Sequence, residues 1–163
     1  MIRLSFLPPE LSRWDGAEAD AVCVFVFEDQ RPPRGAAGLL DWRLCGRISR
    51  WMRQGRLAGR RGERLLSPLG GRLPWPRVVV IGAGPQASFD ENVYRSCVRD
   101  ALATLSGIEA GRYVLALPGR AEGRIAPRRA LEILREEGRA YNTEALVVEA
   151  SAAQKEMAEA ARL

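Results

Sequence analysis

Three short apolar runs constrain the fold of this chain more than any other feature. Ala21–Phe27 is continuously apolar and rich in β-branched residues, and similar runs occur in Arg77–Ile81 and Tyr113–Leu117. Such runs are typical of strands that are covered on both faces, as in a parallel or mixed sheet between helical layers. They therefore predict an α/β protein in which helices cover both faces of one sheet.

The segments between these runs carry helical periodicity and turn signals. A helix is predicted from about Ala36 to Gln54, because apolar residues fall at helical spacing on one of its faces: Leu40, Leu44, Ile48 and Trp51. Further helices are predicted over 88–106, 127–138 and 151–163, and further strands over 2–7, 63–69 and 145–149. This order predicts one three-layer domain over residues 1–163, with a mixed sheet whose two opening strands are adjacent.

The amino-acid composition argues against most metal sites and against most forms of nucleophilic catalysis. The chain has no histidine, which is the commonest metal ligand and general base. Its cysteines, Cys23, Cys45 and Cys97, lie far apart, which argues against a disulfide framework and a zinc site. Each lies in an apolar context, so we expect all three to be core residues, and we expect no cofactor.

The hydropathy pattern gives no sign of a membrane protein. No apolar run approaches the length of a membrane span, and the first residues break at Pro8–Pro9 without the long apolar core of a signal peptide. We therefore expect a cytoplasmic protein that does not act at a membrane.

A row of arginines on the first long helix is the densest basic segment. The chain has 25 basic residues and a net charge of +5, and Lys155 is its sole lysine. Arg43, Arg47 and Arg50 lie on one face of the predicted helix and are candidates for phosphate contacts with nucleic acid. The alternative is a solvated helix face.

Two glycine-containing loops follow predicted strands and are candidates for ligand binding. Gly82 and Gly84 permit close approach of backbone amides to a phosphate, and Gly119 precedes Arg120, which is able to pair with an anion. Ligands of open α/β sheets gather at the carboxyl ends of strands, where both loops are expected. Tight turns without a ligand are the alternative interpretation.

Two tryptophans are predicted to be partly exposed. Trp42 falls off the apolar stripe of its helix, and Trp75 lies between two prolines. Exposed tryptophan often marks a protein interface. We therefore expect a homo-oligomer or a complex with a partner protein.

The glycine pattern between residues 55 and 84 resembles a known family. Gly-x-Leu-x-Gly ends a helix at Gly55–Gly59, Gly-Glu follows at Gly62–Glu63, and a strand exits at Gly82–Gly84. In this order and spacing the pattern is similar to the N-terminal domain of the leucine aminopeptidases, peptidase family M17. The resemblance implies a macro-domain-like α/β fold, which in that family precedes a separate, metal-dependent peptidase domain.

The resemblance does not extend to the peptidase signature. That signature reads Asn-Thr-Asp-Ala-Glu-Gly-Arg-Leu, whereas residues 142–146 read Asn-Thr-Glu-Ala-Leu. We therefore assign no catalytic or metal-binding residue and expect a stand-alone, non-catalytic homologue that acts in protein binding, assembly or regulation. A separate peptidase domain is one possible partner. The alternatives are a macro-domain-type ADP-ribose or nucleotide binder and a nucleic-acid-binding module.

Overall fold

A six-stranded mixed sheet forms the centre of the protein. The computed structural model describes residues 1–160. The strands are β1 (Arg3–Leu7), β2 (Ala21–Val26), β3 (Arg64–Pro68), β4 (Arg77–Gly82), β5 (Arg112–Ala116) and β6 (Glu144–Val148). They lie in the order β1-β6-β5-β2-β4-β3, and all neighbours are parallel except β3, which is antiparallel to β4. The predicted mixed sheet is confirmed.

Helices cover both faces of this sheet, as predicted. They are α1 (Leu11–Trp14), α2 (Gly35–Arg43), α3 (Arg47–Arg53), α4 (Glu91–Gly107), α5 (Pro127–Glu137) and α6 (Ser151–Ala160). The core beneath α1–α3 lies on one face, and the core beneath α4–α6 lies on the other. The predicted helix end at Leu163 falls outside the described residues. Among the helices of residues 1–160, none has the length and apolar character needed to span a bilayer.

Strand β2 is the centre of the sheet, and all six of its residues are buried. Val22, Val24 and Val26 face the α1–α3 layer, whereas Cys23 and Phe25 face the α4–α6 layer. This is the burial that a continuous apolar run predicts for a strand covered on both faces.

The two opening strands are not adjacent, so that prediction was wrong. β1 pairs with β6 at one edge of the sheet, and β2 lies between β5 and β4. The physical reason is visible in their residues. β1 carries the exposed Arg3 and the partly buried Leu4, Ser5 and Phe6, which suit an edge, whereas the fully apolar β2 requires a neighbour on each side.

The long helix predicted over 36–54 is broken in the structure into α2 and α3. Cys45 and Gly46 adopt left-handed backbone conformations, with φ of 56° and 79°. The buried carboxylate of Asp41 accepts hydrogen bonds from the amide and hydroxyl of Ser49, which joins the two helices across the break. The predicted apolar stripe is nevertheless buried: Leu40, Leu44, Ile48 and Trp51.

The left-handed turn also corrects the prediction for one cysteine. Cys45 is exposed, because the turn directs it away from the core, whereas Cys23 and Cys97 are buried as expected. Burial raises the pKa of both buried thiols, that of Cys97 to about 12. The two buried thiols are therefore protonated at neutral pH and behave as small core residues.

Two segments of the backbone cross closely at the C-terminal end of β4. Residues 59–61 run directly over Gly82, so that a Cβ atom there would overlap the carbonyl oxygen of Arg60 and lie 2.6 Å from the carbonyl carbon of Gly59. Gly59 itself has a φ of +87°, and a Cβ there would lie 2.8 Å from the amide nitrogen of Glu28. Gly59 and Gly82 are therefore packing requirements of the fold.

Gly82→Ala is expected to lower the free energy of unfolding by about 3 kcal/mol, because the new methyl group would push apart two backbones that have no room to move. Gly107→Ala is the matched control, since a Cβ at that position at the end of α4 meets no atom within 4 Å. Urea denaturation of both variants measures the difference. A Gly82→Ala protein whose free energy of unfolding lies within about 0.5 kcal/mol of wild type would contradict the role of Gly82 as a packing requirement.

Candidate binding sites

The glycine loop after β4 uses its amides within the protein. All three amides of residues 82–84 donate to backbone carbonyls at N···O distances of 2.8 to 2.9 Å: Gly82 to Glu63, Ala83 to Val26 and Gly84 to Gly59. The amides that the sequence suggested for a phosphate are thus already paired. Binding a phosphate through them would require these backbone hydrogen bonds to break.

The second predicted loop is also engaged by the protein itself. The Arg120 guanidinium binds the Glu149 carboxylate in a two-pronged ion pair, with N···O distances of 2.9 and 3.3 Å, and it donates a further hydrogen bond to the carbonyl of Ile125 at 2.6 Å. Both charged side chains are largely buried, at 15% and 10% exposure. Gly119 has a φ of +73° and packs against the ring of Phe89. Arg120 therefore links β5 to the end of β6.

Apolar and polar contacts fill the space between the two loops. β2 separates β4 from β5, and beyond its end the rings of Phe27 and Phe89 meet edge to face at 5.4 Å. Gln30 donates a hydrogen bond to the Glu122 carboxylate at 3.1 Å, which ties the loop after β2 to the loop after β5.

The cavities along this edge of the sheet are about 30, 170 and 220 Å³. Pockets for drug-sized ligands occupy roughly 300–1,000 Å³. A ligand at Gly82, Gly84, Gly119 and Arg120 stays a prediction that requires these loops to open.

The three arginines predicted to contact nucleic acid differ in their contacts within the protein. Arg43 forms a hydrogen-bonded ion pair with Asp15, which lowers the pKa of that carboxyl group. Arg47 donates to the backbone carbonyl of Pro68 at 3.2 Å. Arg50 is exposed and forms no ion pair with any acid in residues 1–160.

The segment that resembles the peptidase signature has a structural role. Glu144 begins β6 and lies 3.6 Å from the Arg112 guanidinium, and the Thr143 hydroxyl is hydrogen-bonded to that of Tyr113 at 2.9 Å. Nowhere in the described chain do three or more His, Cys, Asp or Glu side chains come together in a way that could hold a metal ion.

A groove beside α2 is larger than the cavities at the carboxyl edge of the sheet, and it was not predicted from the sequence. It encloses about 740 Å³ between Pro32–Pro33, the segment 38–43 of α2, the turn Cys45–Gly46 and Arg72. The ring of Trp42 forms one wall, and this side chain is 73% exposed. We call this surface the Trp42 groove.

Trp42 is exposed, whereas the other three tryptophans are buried. Trp14 and Trp75 pack with ring centroids 5.5 Å apart, and Trp75 donates from its indole nitrogen to the carbonyl of Ala17 at 2.7 Å. Trp75 is 1% exposed, so the prediction that it is partly exposed was wrong: its ring packs on Trp14, while the flanking Pro74 and Pro76 stay exposed. Trp51 is buried on the apolar stripe, whereas Trp42 points away from that stripe, as predicted.

The exposed charge at the Trp42 groove is positive. Arg72 is exposed, and its guanidinium donates to the Cys45 sulfur at 3.2 Å. The Asp41 carboxylate is buried against Ser49, and the charge of Arg43 is offset by Asp15. No local sequence pattern indicates Arg72, because it lies in the turn between β3 and β4 and reaches the groove through the tertiary fold.

Comparison with solved structures shows a macrodomain-like fold. The Trypanosoma brucei macrodomain in complex with ADP superposes with a TM-score of 0.74 and 13% identity, over 98% of this chain and 69% of that chain. A mutant of tomato leucine aminopeptidase superposes with a TM-score of 0.62 and 15% identity, over 98% of this chain and 35% of that chain. At these identities the likeness concerns the fold alone.

Sequence comparison identifies the family. The family model described as "Cytosol aminopeptidase family, N-terminal domain" matches residues 23–137. The probable cytosol aminopeptidase of Ralstonia nicotianae is 35% identical over 94 residues, 58% of this chain and 18% of that protein. That of Halorhodospira halophila is 32% identical over 105 residues, 64% of this chain and 21% of that protein. The chain thus spans about a fifth of the length of these curated relatives. The family match covers more than half of the chain, and this protein therefore belongs to the cytosol aminopeptidase family through that family's N-terminal domain.

Proposed function

We propose that this chain is a non-catalytic protein-binding domain whose docking surface is the Trp42 groove. One observation carries the proposal: a tryptophan that is 73% exposed forms the wall of a groove of about 740 Å³. Tryptophan is enriched among the residues that dominate binding energy at protein interfaces. A groove of this size thus coincides with an exposed side chain of the type that anchors partners.

Burying the exposed ring against a partner would contribute substantially to the free energy of binding. Large aromatic side chains bury about 150–250 Å², and each Å² of apolar surface contributes about 25 cal/mol on burial. Covering the exposed part of Trp42 therefore favours binding by roughly 3–4 kcal/mol before ordering costs. Among the described residues, the other large apolar side chains that are exposed are Met1 and Leu66.

Two observations support a role without catalysis. The family match covers the N-terminal domain of much longer relatives. Three charged groups at the carboxyl edge of the sheet serve internal contacts, since Arg120 pairs with Glu149 and Glu122 accepts from Gln30. A general acid, base or electrophile needs a partly free polar group in a cleft, and these side chains are tied to one another.

Nucleotide or ADP-ribose binding is less favoured by this geometry. A macrodomain of similar fold has been solved with ADP, but here the rings of Phe27 and Phe89 pack together at the carboxyl edge of the sheet, and the cavities there are about 170 and 220 Å³. Fold alone does not establish a ligand.

Nucleic-acid binding is a second candidate function, favoured by one specific observation. Five exposed arginines between residues 50 and 61 form no ion pair with any acid of the described chain: Arg50, Arg53, Arg56, Arg60 and Arg61. The nearby acid Glu63 accepts instead from the amides of Ala58 and Gly59. Unpaired arginines at this density create a positive field that attracts phosphates.

Trp42→Ala is expected to weaken partner binding about thirtyfold while leaving stability unchanged, because the lost ring is exposed in the free domain. Leu66→Ala is the matched control, since it removes another exposed apolar side chain, on the edge strand β3. Proteins captured by the wild-type domain are purified and titrated calorimetrically against wild type, Trp42→Ala and Leu66→Ala. A partner that binds Trp42→Ala as tightly as wild type would contradict docking at this groove.

The purified chain is expected to hydrolyse no leucyl-anilide substrate in the presence of manganese or zinc, because the family match covers the N-terminal domain and the described residues provide no cluster of metal ligands. Release of the anilide is followed by absorbance, with a full-length cytosol aminopeptidase as the positive control. Turnover that persists at constant specific activity through successive purification steps would show that the non-catalytic assignment is wrong.

For the second candidate function, the double variant Arg50→Glu with Arg53→Glu is expected to abolish most oligonucleotide binding. Each lost phosphate contact makes the slope of log affinity against log salt concentration shallower by about 0.9 for duplex DNA. Fluorescence anisotropy over a salt series measures the slope, with the double variant Arg135→Glu with Arg139→Glu as a charge-matched control at exposed sites elsewhere. Equal binding by the double variant and wild type would exclude this surface.

A further inference from the structure

The chemistry of the Trp42 groove identifies the class of segment that it accepts, and this inference rests on the function proposed above. We propose that the groove binds a linear acidic segment of a partner protein. In such a segment an aromatic or long aliphatic side chain lies within a few residues of an aspartate or glutamate. The apolar side chain packs on Trp42, and the carboxylate pairs with Arg72.

The shape of the groove favours a polypeptide segment over a small molecule. Pockets for small molecules bury about 70–90% of the ligand surface. Here the principal wall, Trp42, is itself 73% exposed, so the groove lies open along the surface. Pro32, Pro33 and Gly38 also line the groove, and the carbonyl oxygen of Pro33 packs so closely on Gly38 that a Cβ there would lie 2.6 Å from it. A chain laid across this groove covers the ring while its ends continue into solvent.

Arg72 provides the charge that selects an acidic partner. Its guanidinium contacts the Cys45 sulfur at 3.2 Å, a weak acceptor, and forms no ion pair with a carboxylate of residues 1–160. A guanidinium can hold a carboxylate through two parallel hydrogen bonds. The other charges of the groove are satisfied, since Arg43 pairs with Asp15 and Asp41 is buried against Ser49. Of the charged residues that line the groove, Arg72 is therefore the one available to bind a carboxylate of a partner.

Further positive charge extends from the groove along α3. The amide of Arg50 donates to the carbonyl of Gly46 at 2.9 Å, which places Arg50 one helical turn from a residue that lines the groove. Arg53 follows three residues later, on the same side of the helix, and both side chains are exposed. A segment with several carboxylates would thus be attracted over a longer distance than one contact allows.

The same charges disfavour a second copy of this chain as the occupant. A two-fold interface places the same patch of both subunits against each other. Two positively charged patches that contain Arg72 and Arg50 would then face each other, and like charges across an interface are strongly unfavourable. A different protein with complementary charge meets no such repulsion.

Selection from a phage-displayed library of short random peptides on the full chain tests this inference. Peptides that also bind immobilised Trp42→Ala are removed during selection. We expect the enriched peptides to share an aromatic or aliphatic residue close to an acidic one. Synthetic versions titrated by calorimetry should bind Arg72→Glu about tenfold more weakly than wild type, and Arg72→Lys should fall between the two. Arg139→Glu, a charge reversal at a distant exposed site, should bind like wild type.

The possible outcomes distinguish this inference from the proposed function. Peptides that depend on Trp42 but carry no acidic residue, or that bind Arg72→Glu as tightly as wild type, would overturn the acidic assignment and leave the docking groove in place. A library without any Trp42-dependent binder would overturn both the acidic assignment and the docking groove.

A single-stranded oligonucleotide that binds through Trp42 and Arg72, when acidic peptides do not, would identify nucleic acid as the occupant. Sedimentation that shows Trp42-dependent dimers would identify a second copy, and either result overturns the inference.

Discussion

The burial of β2 on both faces and at both edges is the constraint on which the structure depends. A strand with six buried apolar residues needs a helical layer above, a helical layer below and a hydrogen-bonded strand on each side. β4 and β5 supply the neighbours, and this displaces β1 to the edge beside β6. The two cores on either side of β2 then hold α1–α3 and α4–α6 in place.

The loops at the carboxyl edge of the sheet are held together by contacts that leave little space between them. The crossing of residues 59–61 over Gly82, the ring pair of Phe27 and Phe89, and the ion pair between Arg120 and Glu149 all act at this edge. Each of these contacts joins groups of the protein to one another. The protein therefore has the macrodomain-like fold with small cavities at this edge, which illustrates that function depends on the site and that the fold alone does not supply it.

The break between α2 and α3 connects the fold to the proposed docking surface. The left-handed conformations of Cys45 and Gly46 let the buried stripe continue from Leu40 to Trp51 while the chain changes direction. The same turn forms one end of the Trp42 groove, next to Arg72 from a distant part of the sequence. A local backbone feature thus brings an exposed aromatic ring and an exposed guanidinium to one groove.

Much of the fold followed from the sequence, because hydrophobic periodicity reports which faces of an element are buried. The sequence predicted the α/β class, the mixed sheet, all six strands, every helix but α1, the burial of Cys23 and Cys97 and the exposure of Trp42. Its glycine pattern predicted the family. The sequence did not predict the order of the strands, the break at Cys45–Gly46, the burial of Trp75 or the pairing of Arg120 with Glu149. These features depend on contacts between residues far apart in the chain, which local periodicity does not encode. For the same reason the groove between Trp42 and Arg72 exists only in the tertiary structure, where the 29 intervening residues fold back to bring the two side chains to one groove.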